Sequence, residues 1–72
     1  MELHERLRQL REDKDLSQAD LAAMLGTTRQ QIGKYETGRQ DMTAAKLAAL
    51  CRALGVSADY LLGLPRGLAW PR

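Results

Sequence analysis

The sequence is poor in cysteine, in large aromatic residues and in β-branched aliphatic residues. Its one cysteine, Cys51, cannot form a disulfide within the chain, and a lone thiol is not a metal-site pattern. This cysteine usage fits a reducing, intracellular setting. Phenylalanine is absent, and valine and isoleucine occur once each. The abundance of alanine, leucine, arginine, glutamine and glutamate therefore favours helices over strands.

Long apolar runs are also absent, as is the charged-then-apolar start of a signal peptide. We therefore expect a cytoplasmic protein with no membrane partner. The sequence contains no visible nucleophile–base pair, phosphate-binding loop or cluster of metal ligands, so we expect neither an enzyme nor a cofactor. Its 72 residues form one domain at most. Such a chain buries only about 60% of the surface that its unfolded form exposes, so its core must be efficient or supplemented by a partner chain.

Charge is distributed unevenly along the chain, although the formal net charge is only +2. Between Gly26 and Arg52 there are five basic residues and only two acidic ones, whereas acidic residues cluster around Lys14. A local basic patch suits a polyanion such as nucleic acid. The charges alone fit a mixed, solvated surface equally well.

Apolar residues recur with helical spacing and predict five helices. These helices cover about residues 2–14, 17–25, 28–37, 43–54 and 57–62. Ser17 with Asp20 forms a capping-box pattern at the start of the second helix. Thr28 with Gln31 forms a similar pattern at the start of the third.

The second and third predicted helices are separated by a tight turn. Gly26 tolerates the left-handed conformation that ends a helix, and Ala22 is small enough to let the two helices cross closely. Thr27 and Ile32 face the core in this arrangement. One whole side of the third helix is then left free, and a helix of this diameter fits the major groove of B-form DNA.

The free side of the third helix is polar but almost without acidic residues. A surface helix with a purely structural role usually mixes glutamate and lysine for pairing. Simple solvent exposure is the competing interpretation of these side chains. The outer positions are Arg29, Gln30, Gln31, Gly33 and Lys34.

Three short motifs carry a resemblance to a known family. They are Ser-Gln-x-x-Leu-Ala from Ser17, Leu-Gly-Thr-Thr from Leu25 and Tyr-Glu-x-Gly from Tyr35. Together they resemble the Cro/C1-type helix-turn-helix proteins, which include phage repressors, restriction-modification controllers and antitoxins. The resemblance covers about residues 5–63. It implies an all-α, compact, five-helix lambda-repressor-like DNA-binding domain over residues 1–64, followed by a short tail over residues 65–72.

The resemblance also implies roles for individual residues. Base reading falls to Arg29, Gln30 and Lys34. Phosphate contacts fall to Gln18, Thr28, Gln31 and Arg39, and Arg11 with Glu36 matches a structural ion pair. The chemistry agrees, because arginine can bond guanine O6 and N7 together and glutamine can bond adenine N6 and N7.

The function implied by the resemblance is that of a transcriptional regulator, expected to be a repressor that binds an inverted-repeat operator in double-stranded DNA as a homodimer. The expected location is the cytoplasm, in association with the nucleoid, for a protein of prokaryotic or phage origin. The expected dimer surface comprises Tyr60, Leu61, Leu64 and Trp70. The alternative is an antitoxin-type interaction module that neutralises a protein partner, a toxin, and also binds its own operator.

Two positions depart from the family pattern. Gly33 stands where serine is common, and it either permits close approach of the backbone to DNA or is a neutral replacement. Met42 stands where proline is common, which predicts a looser loop after the third helix. The role of Trp70 stays open between packing on the domain, dimerisation and disorder.

Overall fold

Five helices form the part of the chain that the computed structural model describes, residues 2–64. No strand occurs within those residues. The all-α prediction is therefore confirmed. The helices are α1 (Leu3–Asp13), α2 (Gln18–Leu25), α3 (Arg29–Glu36), α4 (Ala44–Leu54) and α5 (Ala58–Leu62). The tail over residues 65–72, and with it Trp70, lies outside the described residues.

Local capping explains where the helices begin. Each residue predicted to start a helix is in fact its N-cap, one position before the first helical residue. Ser17 Oγ accepts from the backbone N–H of Asp20 at 2.9 Å, and Asp20 Oδ2 accepts from the N–H of Ser17 at 3.0 Å, which completes a capping box. At Thr28 only half of the expected box forms. The hydroxyl accepts from the N–H of Gln31, and the side chain of Gln31 does not return the bond.

The turn between α2 and α3 is held by the backbone and by one lysine. Gly26 has a φ of +65°, the left-handed conformation that favours glycine. The N–H of Thr27 donates to the carbonyl of Ala22 at 2.9 Å, and the Lys46 Nζ of α4 donates to the carbonyl of Leu25 at 2.7 Å. A positive charge at the carboxyl end of α2 also suits the helix dipole. The backbone of α2 and the Lys46 side chain of α4 therefore both hold the turn in place.

The core lies between the helices and holds α3 by one side only. Helix α3 packs against α1 and α2, α2 also packs against α4, and α5 packs against α1 and α4. The buried apolar side chains form a single cluster. They are Leu7, Leu10, Leu21, Ala22, Leu25, Ile32, Tyr35, Leu50, Leu54 and Leu61.

The expected dimer surface is wrong at Leu61, which is buried within the domain. It was expected to contact a second copy, but its exposed fraction is 0% because α5 turns it into the core. Its neighbours Tyr60 and Leu62 are about half exposed, at 51% and 44%, and Leu64 is 44% exposed. Within residues 2–64, no helix combines the length and apolar character that crossing a membrane requires.

Candidate nucleic-acid interface

The outward side of α3 is a row of exposed polar side chains. Ile32 and Tyr35 bury the opposite side of the helix in the core. Arg29, Gln30 and Lys34 are exposed, and none of their side chains bonds to another residue in the described range. Helical spacing puts residues 29, 30, 33, 34 and 37 on one face. The fold therefore presents unused donors on one side of a firmly anchored helix.

The amino end of α3 is open to an anion. Thr28 caps the helix, and no acidic residue lies in its first turn. The positive end of the helix dipole and the free backbone N–H groups favour a phosphate at such a place. Beyond the carboxyl end, Arg39 is exposed, and its N–H bonds the carbonyl of Lys34 at 3.0 Å. Exposed cations thus extend from one end of the face to the other.

The loop after α3, which the missing proline predicts to be looser, contacts the rest of the domain at two places. The Met42 side chain is half-buried against the core. The N–H groups of Arg39 and Gln40 both bond the carbonyl of Lys34, at 3.0 and 3.3 Å. The first part of the loop is therefore tied to α3.

A buried ion pair fixes the carboxyl end of α3. Arg11 Nε donates to Glu36 Oε2 at 2.6 Å, and Arg11 Nη2 donates to Glu36 Oε1 at 3.1 Å. Arg11 Nη1 also donates to the carbonyl of Leu16 at 2.8 Å. The hydrogen bond with Glu36 raises the pKa of Arg11 above its ordinary value. The pair ties α1 and the α1–α2 connector to α3, as the resemblance implied.

Gln18 has a role inside the domain that the sequence analysis missed. Its Nε2 donates to Glu36 Oε1 at 3.1 Å, which joins α2 to the ion pair. An amide nitrogen carries two N–H groups, so this bond uses only one of them. The motif spacing around Gln18 gives no sign of this bond, because it depends on how α2 and α3 cross.

Gln31 is placed differently from its expected role. Its Nε2 atom is buried and has no hydrogen-bond partner among the described residues. A phosphate contact needs that amide as the donor, so this side-chain conformation does not provide the contact. The remaining predicted DNA-facing residues are exposed, apart from Gln18, which is half-buried.

Comparison with protein families decides what this arrangement is. The helix-turn-helix family model HTH_3 matches residues 7–61, which includes the turn and the whole of α3. The chain belongs to the Cro/C1-type helix-turn-helix family. Members of this type are DNA-binding transcriptional regulators.

Relatives of this Cro/C1-type domain include regulators from prophages and bacteria. The SPbeta prophage-derived HTH-type transcriptional regulator YonR of Bacillus subtilis strain 168 is 47% identical over 58 residues, which make up 81% of this chain and 54% of that protein. The regulator YobD of the same strain is 40% identical over 60 residues. The chain spans about half the length of both relatives, 54% in each case.

Solved structures show the same Cro/C1-type fold. The P22 c2 repressor in complex with a synthetic operator superposes with a TM-score of 0.81 at 34% identity, over 86% of this chain and 94% of that one. The restriction-modification controller protein C.AhdI from Aeromonas hydrophila superposes with a TM-score of 0.78 at 33% identity, over 83% and 91% of the two chains.

Proposed function

We propose that this domain binds double-stranded DNA with sequence specificity, as a homodimer on an inverted repeat, and represses transcription. The observation that carries the proposal is the outward face of α3, where Arg29, Gln30 and Lys34 are exposed without partners in the described chain. The likeness to a repressor solved with its operator supports the same conclusion.

Base recognition falls to the first turn of α3 and to Lys34 in this proposal. Arg29 carries two donors that suit the O6 and N7 acceptors of guanine. Gln30 carries a donor and an acceptor that suit N7 and the N6 amino group of adenine, and Lys34 lies about one turn further along the same face. Each good bidentate contact contributes about 1–3 kcal/mol of discrimination against the wrong base.

Phosphate contacts surround the base-reading residues and position the protein without specifying sequence. Thr28 and the first N–H groups of α3 meet one phosphate, and the free N–H of Gln18 meets another. Arg39 supplies a cationic contact at the far end. Gln31 contributes only if its side chain rotates outward.

The dimer surface in this proposal is the exposed side of α5 and the residues after it. Tyr60, Leu62 and Leu64 expose apolar area there. Helix-turn-helix dimers bind half-sites about 34–36 Å apart, one turn of DNA. Two copies joined through this surface would have to place their α3 helices at that distance.

A binding titration with three kinds of variant tests these roles. Arg29→Ala or Gln30→Ala should relax specificity at one base position, whereas Gln18→Ala should weaken binding to all sequences alike. Arg39→Ala should also weaken all sequences, and it should reduce the salt slope by about one because a cation is lost. Gln18 is neutral, so its variant should keep the slope.

Arg8→Ala is the matched control, since this exposed arginine lies on α1 and pairs with Glu12. It should bind as the parent does. If the Arg29, Gln30 and Arg39 variants also bind with parental affinity, specificity and salt slope, the interface is not on α3.

A further inference from the structure

Gly33 lies in the middle of the outward face of α3. Neither its contacts within the described part of the domain nor its backbone conformation requires a glycine there. A Cβ built on it would meet no heavy atom within 4 Å, and its φ is not in the left-handed region. Gly38 differs, because a Cβ there would lie 3.1 Å from the ring of His4. Glycine within a helix is destabilising relative to alanine. Gly33 therefore lowers helix stability without serving the packing of its own chain.

The missing side chain leaves a shallow depression between the base-reading positions. Its lining residues are Gln30, Gly33, Lys34, Thr37 and Arg39. The hydroxyl of Thr37 turns inward and donates to the carbonyl of Gly33 at 2.9 Å, so it is already engaged. Lysine and arginine contribute methylene stems as well as charged ends. The depression is thus a small apolar recess with a cationic rim.

We infer that this recess receives the 5-methyl group of a thymine, which makes Gly33 a specificity-determining residue. The inference rests on the proposed function. Gly33 is three residues after Gln30 and four after Arg29, so it faces the same stretch of groove. Among base edges in the major groove, the thymine methyl is the apolar group that such a recess suits. A side chain at position 33 would occupy its place.

The experiment combines one protein variant with one DNA change. The operator is first obtained by selecting bound DNA from a random pool. Parent and Gly33→Ala proteins are then titrated against that operator and against copies in which each thymine is replaced singly by deoxyuridine, which lacks only the methyl group. Thermal unfolding of both proteins is measured alongside.

Opposite changes in binding and stability are expected. Gly33→Ala should raise the Tm by about 4–8 °C, because alanine favours helix. For each half-site it should weaken operator binding about tenfold, the loss that a mismatched base pair causes. A single deoxyuridine in place of the contacted thymine should weaken the parent about fourfold, the effect of one buried methyl, and should not weaken Gly33→Ala.

The control is Ala48→Gly on the exposed side of α4, which should lower the Tm and leave affinity unchanged. Parental affinity of Gly33→Ala would overturn the inference. So would deoxyuridine effects that are equal in both proteins at every thymine. A parent that selects no DNA would refute the proposed function itself, whereas the two preceding results would leave that function standing and remove only the role of Gly33.

Discussion

Glu36 shows how much of this fold depends on one side chain. It is 6% exposed and accepts hydrogen bonds from Arg11 and from Gln18, so it joins α1 and α2 to α3. The pairing with Arg11 followed from the family motif. The bond from Gln18 did not, because two residues 18 positions apart reveal no contact until the helices are packed.

Removing one member of the ion pair should destabilise the domain strongly. Arg11→Met leaves the Glu36 carboxylate buried, with the Gln18 amide as its remaining side-chain donor, and should lower the free energy of unfolding by about 3–5 kcal/mol. Urea denaturation followed by circular dichroism measures the change.

The exposed pair of Arg8 and Glu12 supplies the control. Their side chains are 65% and 54% exposed at a separation of 3.4 Å, so Arg8→Met should cost no more than about 0.5 kcal/mol. Equal losses for Arg11→Met and Arg8→Met would show that burial does not strengthen the Arg11–Glu36 pair.

Helix ends were the most predictable elements because capping is local. Ser17, Thr28, Thr43 and Ser57 each cap the helix that the sequence placed there. The exception is Gln31, whose side chain turns into the domain instead of completing a box with Thr28. Tertiary packing decided that conformation, and no spacing rule predicts it.

The capping box of α2 should be visible in an acid titration. Hydrogen bonds from the backbone and side chain of Ser17 lower the pKa of Asp20 below its ordinary value of 3.8. A lowered carboxyl pKa stabilises the fold at pH above the ordinary value, and this contribution is lost as the pH falls through the lowered one. Ser17→Ala keeps the backbone N–H and removes the side-chain hydrogen bond, so it should move the titration midpoint of Asp20 upward by only part of the shift.

The chemical shift of the Asp20 side-chain carboxyl carbon, followed by NMR as the pH is lowered, measures this midpoint directly. Ser57→Ala, which removes the equivalent cap of α5, should leave it unmoved. A midpoint at or above 3.8 in the parent protein would contradict the hydrogen-bonded box.

At the scale of the whole molecule, the weakest prediction concerned the face of α5. Tyr60, Leu61 and Leu62 are consecutive and apolar, so periodicity could not tell which of them enters the core. The packing of α5 against α1 and α4 places Leu61 in the core. Tyr60 remains outside, with the guanidinium of Arg6 5.8 Å from its ring centre.

The difference in burial between Leu61 and Leu64 predicts different outcomes when each is substituted. Leu64→Lys should shift the proposed dimer toward monomer in sedimentation equilibrium without lowering monomer stability, because Leu64 is exposed. Leu61→Ala should lower the free energy of unfolding by about 2–5 kcal/mol, because it empties a buried site. A Leu64→Lys protein that dimerises as the parent does would place the dimer surface elsewhere.

The central claim is that the free face of α3 reads DNA sequence, and selection from a random DNA pool tests it most directly. The parent protein should enrich a two-fold symmetric sequence with half-site centres about 10–10.5 base pairs apart. Arg29→Ala should enrich the same sequence with one position per half-site relaxed, and Arg8→Ala should reproduce the parental sequence. Enrichment of no common sequence, or of one that substitution of Arg29, Gln30 and Lys34 leaves unchanged, would contradict the account.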